Sequence, residues 1–114
     1  NDVTDRAIQK QELTFARAKS MDTFCPIGPY LVTGLDWQNK AIKTWVNTEL
    51  KQHGSTRDMV HSVPKLISFV SQFMTLLPGD VILTGTPAGV GAIQKGDVVK
   101  VEIEGLGILE NAVE

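Results

Sequence analysis

The sequence has one cysteine, no long apolar run, no excess of basic charge and no internal repeat, and each shortage removes a class of function. Cys25 alone cannot form an internal disulfide, which fits a reducing compartment, most simply the cytoplasm. No stretch approaches the roughly 18 consecutive apolar residues that a membrane-crossing helix needs, so no membrane partner is expected. Eleven Lys and Arg stand against 13 Asp and Glu for a net charge of -2. That balance offers no basic stripe for a phosphate backbone, and nucleic acid is not expected either. The chain starts at Asn1 and Asp2, with neither an initiating methionine nor a secretory leader pattern, and it reads as a segment of a longer one.

What is present suits one domain. For 114 residues, 42% of them hydrophobic, folding buries roughly two thirds of the unfolded surface. Gly, Pro and Asn punctuate short apolar runs. A helix is expected over residues 4–13, capped by Asp2 or Thr4. Residues 15–29 read as irregular loop, followed by a short strand at 30–33. Alternation predicts a hairpin of 41–46 with 49–52, turning at Asn47 and Thr48. Ser62 is placed to cap a helix that tolerates Pro64 in its first turn and carries Leu66, Val70, Phe73 and Leu77 as a buried stripe. Strands are expected at 81–83, 98–103 and 108–113, the first running into a glycine-rich stretch at 84–91. The fold class is mainly β with a few helices (α+β), two of them long enough to be read from the sequence.

Several groups could carry chemistry. On a helix Asp2, Arg6 and Gln9 would share one side, although a cap with a solvated ion pair explains them equally simply. Arg17 and Lys19 lie in the irregular loop, where a lysine is ordinarily a solvated charge unless a pocket turns it toward developing negative charge. Cys25 lacks any ligand or nucleophile context and reads as a packed thiol. The stretch 84–91 fits neither a Walker loop nor a dinucleotide fingerprint, and serves as a turn or as a backbone approach to an anion. Glu102 and Glu104 would share a strand face, as would suit a hard cation or plain solvent. His53 and His61 have no zinc-like spacing.

Read together, four segments resemble the fumarylacetoacetate hydrolase family: Asn-Asp-Val-Thr-Asp-Arg at 1–6, Arg-Ala-Lys-Ser-Met-Asp-Thr-Phe-Cys-Pro-Ile-Gly-Pro at 17–29, Pro-Gly-Asp-Val-Ile-Leu-Thr-Gly-Thr-Pro-Ala-Gly-Val-Gly at 78–91, and Gly-Asp-Val-Val-Lys-Val-Glu-Ile-Glu-Gly-Leu-Gly at 96–107. The resemblance implies a mixed β-roll, incomplete here, with residues 1–114 as the C-terminal portion of a catalytic domain. It implies Asp2 as one ligand of a divalent cation, Mg2+ or Mn2+, and Lys19 as the catalytic stabiliser of an enolate or carboxylate. Arg6, Gln9, Thr86 and, as a loop residue, Thr23 would bind substrate. The family's other two metal ligands are a Glu-x-Glu pair upstream of the aspartate. Glu102 and Glu104 match a downstream strand instead and are not metal ligands by this resemblance.

The implied substrates are small 2-oxo or 1,3-diketo acids, handled through an enolate stabilised by the metal. Isomerisation or decarboxylation of the homoprotocatechuate type ranks first and acylpyruvate hydrolysis second, and the intact protein is expected to be a homodimer. The alternative is a non-catalytic binding or assembly module that retains the fold. One departure from the family pattern is Thr48, where a glycine often completes an Asn-Gly turn.

Overall fold

The computed structural model describes all of residues 1–114. Four strands, β1 (Ala41–Val46), β2 (Glu49–Ser55), β3 (Val98–Ile103) and β4 (Gly107–Ala112), form one antiparallel sheet in the order β2-β1-β3-β4. The helices are short: α1 (Arg6–Gln9), α2 (Ala16–Lys19) and α3 (Val63–Val70), with a 3-10 turn at Thr56–Asp58. The mainly β class with few helices is therefore present, and no helix is long and apolar enough to cross a membrane.

Alternation places the core. Ile42 faces Ile103, Thr44 faces Val101 and Val46 faces Val99 across the central pair, so apolar and β-branched side chains meet in cross-strand pairs worth a few tenths to about 1 kcal/mol each. Val99 is the enclosed member of this group. On β3 and β4, Lys100 lies opposite Glu110, their charges 3.0 Å apart and half-exposed, where such a pair adds at most about 1 kcal/mol. The β1–β2 turn needs no glycine at Thr48, because Asn47 takes the left-handed conformation (φ 55°), which asparagine tolerates. Asn47 Nδ2 also donates to Asp97 Oδ1 (2.9 Å), and Asn47 Oδ1 accepts from Val98 N (2.9 Å). The bond from Asn47, helped by the Gln94 amide, holds the Asp97 carboxyl below its ordinary range.

Other expectations are corrected. The helix expected over 4–13 is the single turn α1, capped by Asp5, whose Oδ1 accepts from Ala7 N and Ile8 N, rather than by Asp2 or Thr4. The loop from residue 15 contains α2. Ser62 stands at the start of α3 without a side-chain cap bond. The helix ends at Val70, so Phe73 and Leu77 lie beyond it and are exposed, not buried. No strand forms at 30–33 or 81–83. Both segments have the residues of a strand, but a strand exists only when a neighbour takes up its backbone groups, and no backbone partner is found for 81–83 within this chain. His53 is in β2, not in a loop, and Glu104 falls just past β3 with its Oε2 accepting from Ala41 N (3.2 Å).

The accessible surface of 8620 Å² exceeds the about 6,100 Å² expected of a closed monomer of this mass. Phe69, Phe73, Met74, Leu77, Val81 and Leu83 are all open. A sheet with both outer strands unpaired and this much apolar surface needs a cover.

Candidate functional site

The first cluster is built by two single-turn helices clasped at one point. Asp5 N donates to Ala18 O (2.9 Å), and Ala18 is completely enclosed at the junction. That clasp brings together residues 17 positions apart: Lys19 Nζ reaches Asp2 Oδ2 at 2.5 Å and Thr4 Oγ1 at 3.1 Å. Both charged side chains remain about one third exposed, 32% for Lys19 and 37% for Asp2, so the pair is open to a ligand. Asp2 thus pairs with Lys19 and not with Arg6 and Gln9, because it precedes the helix. Arg6 instead donates to Gln9 Oε1, one turn further on. Arg17 pairs with Glu12 at 2.7 Å on the exposed side and stays outside the cluster.

The second cluster is the glycine-rich stretch held against β2. Gln52 Nε2 donates to Thr86 Oγ1 (2.8 Å) and to Pro87 O (2.9 Å). Two glycines allow this approach. A Cβ on Gly54 would lie 2.8 Å from Pro87 Cβ, and one on Gly89 would collide with the Lys51 carbonyl oxygen, at a φ of 101° that disfavours any side chain. In the full-length protein, Gly89→Ala is expected to cost at least about 2 kcal/mol from left-handed strain and backbone displacement. Gly91→Ala, where a Cβ would meet nothing within 4 Å, should leave the urea midpoint in place. Equal midpoints for the two variants would contradict this packing.

Thr23 stands apart. It takes a left-handed φ of 70° and lines a cavity of about 380 Å³ with Asn1, Val3, Phe24, Val99 and Val113. Asp2, Arg6, Gln9, Lys19 and Thr86 do not line that cavity. Cys25 is half-buried and free.

Nowhere do three His, Cys, Asp or Glu side chains gather as a metal site. Asp2 has the oxygen chemistry a hard cation takes, and Lys19 engages only its Oδ2, so that Oδ1 is left with the capacity to act as one ligand. One such ligand fits a share in a site and not a whole one. Two partners escaped sequence reasoning. Thr4 was legible only as a possible cap, and Gln52, 34 residues from Thr86, had no local signal beyond its place in the hairpin.

Comparison with known proteins bears on this arrangement. The model of the fumarylacetoacetate (FAA) hydrolase C-terminal family matches residues 1–114. The structure superposes on a 2-hydroxyhepta-2,4-diene-1,7-dioate isomerase from Mycobacterium marinum with a TM-score of 0.96 and 51% identity, over 98% of this chain and 44% of that one. An oxaloacetate tautomerase of Bacillus subtilis is 42% identical over 123 residues, 99% of this chain and 41% of the relative. A maleylpyruvate hydrolase from Sphingobium sp. SYK-6, solved in complex with manganese(II) ion and pyruvate, aligns with a TM-score of 0.81 and 41% identity, over 84% of this chain and 38% of the other. The chain spans less than half the length of these relatives. With the family model matched over its whole length and relatives above 40% identity sharing its fold, the chain belongs to the fumarylacetoacetate hydrolase family.

Proposed function

We propose that residues 1–114 are the C-terminal portion of a catalytic domain that acts on small 2-oxo or 1,3-diketo acids with Mg2+ or Mn2+. The observation that carries this reading is the Lys19, Asp2 and Thr4 cluster, a partly exposed ammonium held beside a carboxylate by an enclosed helix junction. The manganese and pyruvate complex of the Sphingobium hydrolase supports it from a relative.

In this reading Asp2 Oδ1 is one oxygen ligand, and the others come from outside these residues. A bound divalent cation would supply Lewis acidity toward a 2-oxo acid's oxygens. The chain's own residues do the rest. Lys19 faces the oxygen on which negative charge grows when the bond beta to the carbonyl breaks or a proton shifts. Arg6 suits a substrate carboxylate, for which its planar fork is matched, and Gln9 orients Arg6 through their mutual bond. Thr86 offers a hydroxyl from the glycine-rich stretch, and Thr23 is a loop residue of the same substrate-binding set. Isomerisation or decarboxylation is the preferred reaction and acylpyruvate hydrolysis follows, since all three pass through the same enolate-like charge.

The test is turnover of oxaloacetate and acetylpyruvate by the full-length protein with manganese and with excess chelator. Chelator-sensitive turnover of either is the expected result, and no metal-dependent turnover would favour a non-catalytic binding or assembly module. The open apolar surface supports a homodimer of the intact protein, and light scattering that shows only monomer at micromolar concentration would count against it.

A further inference from the structure

We propose that Gln52 is the positioning residue that keeps the Thr86 hydroxyl proton free to be donated to an anionic group of the substrate. The inference rests on Thr86 being the substrate-contacting hydroxyl proposed above.

The orientation of the Gln52 amide follows from its partners. The same terminal atom lies 2.9 Å from Pro87 O and 2.8 Å from Thr86 Oγ1. A backbone carbonyl can only accept, so that atom must be the NH2, and its two hydrogens serve the two oxygens. Thr86 Oγ1 is therefore an acceptor in this pair, and its own proton is left for another acceptor. A carboxylate or enolate oxygen accepts only, so a threonine whose proton is kept free toward it meets it without first breaking a bond.

The bond to Pro87 O fixes the same amide to the backbone of the loop, and Gly54 and Gly89 let β2 and the loop come close enough for both bonds. Gln52 itself sits in β2, paired with Thr44 of β1. The loop is thus registered against the sheet rather than against another loop. A hydroxyl held in this way keeps its proton available, which suits an oxyanion as the ligand.

The decisive variant is Gln52→Glu, which keeps the shape and replaces the NH2 by an oxygen that only accepts. The Thr86 proton then turns to residue 52 and is lost to substrate. With oxaloacetate and manganese in the full-length protein, KM is expected to rise at least fivefold in both Gln52→Glu and Thr86→Val, with kcat within twofold. The double variant should be no worse than Thr86→Val alone. If Thr86→Val raises KM and Gln52→Glu does not, or if the two effects multiply, this inference is overturned while the substrate role of Thr86 stands. If Thr86→Val leaves KM unchanged, the site reading falls and the inference with it. Should Gln52→Glu not fold or oxaloacetate not be turned over, urea midpoints of Gln52→Met, Thr86→Val and their combination decide. Non-additive midpoints support the bond, and additive ones overturn it.

Discussion

Replacing Asp2 with alanine in the full-length protein is expected to abolish magnesium- or manganese-dependent turnover, while residues 1–114 alone should bind either cation weakly or not at all. Both halves follow from coordination number. A hard cation of this kind takes about six oxygen ligands, and magnesium surrenders its water reluctantly. A single carboxylate therefore leaves most of the shell as solvent. The chain gathers no cluster of three His, Cys, Asp or Glu side chains that includes Asp2, and Lys19 already engages one of its oxygens. Further carboxylates from outside these residues would add charge and set the geometry, and removing Asp2 from that set takes away one of its few anionic ligands.

Asp5 provides the control. It lies three residues away, but both of its side-chain hydrogen bonds go to backbone amides of α1. Asp5→Ala should cost about 1 kcal/mol of stability as a lost cap and leave metal dependence intact. Calorimetric titration with manganese, together with turnover of both variants, separates the roles. Micromolar binding by residues 1–114 would sink the proposal and return Glu102 and Glu104 to consideration.

Lys19→Ala in the full-length protein is expected to lower kcat on oxaloacetate or an acylpyruvate by at least about tenfold, equivalent to roughly 1.4 kcal/mol of transition-state stabilisation. An ammonium has three donor hydrogens. Asp2 Oδ2 and Thr4 Oγ1 take two, and the third is free for an oxygen that gains charge during the reaction. The side chain is 32% exposed, so the ion pair itself contributes little to folding, and the melting temperature should move little. A lysine that only decorates the surface would leave kcat unchanged, and that outcome would end the catalytic assignment. Loss of activity accompanied by a large drop in melting temperature would instead assign Lys19 to holding α2 against the segment around Asp2.

The two experiments report on different properties of one cluster. Asp2→Ala removes a ligand and should be answered by metal titration. Lys19→Ala leaves the carboxylate in place and should preserve cation binding while the chemistry slows. If both variants lose metal equally, Lys19 acts only by setting the orientation of Asp2.

The sequence by itself determined the hairpin, the two last strands and the family. Strand alternation at 41–46 and 98–103 is a period-2 pattern that any one-sided sheet requires, and Asn47 at the turn is a local conformational preference, so both are written within a few residues of where they act. The family resemblance is likewise a matter of ordered short strings, and it survived comparison over residues 1–114.

Tertiary structure decided the rest, because the remaining information is non-local. The apolar run at 81–83 has the composition of a strand, yet it forms none in this chain, since hydrogen bonding across a sheet needs a neighbour. The helix expected over residues 4–13 is the single turn α1, which starts two residues later than expected because Asp5, not Asp2 or Thr4, supplies the cap, with a clasp to Ala18 at its start. That clasp, in turn, converted Asp2 from a supposed neighbour of Arg6 into the partner of Lys19. Gln52 reaches Thr86 across 34 residues only because two glycines let the backbones touch. Periodicity and turn chemistry act along the chain, whereas a site is made by which distant segments the packed backbone allows to meet.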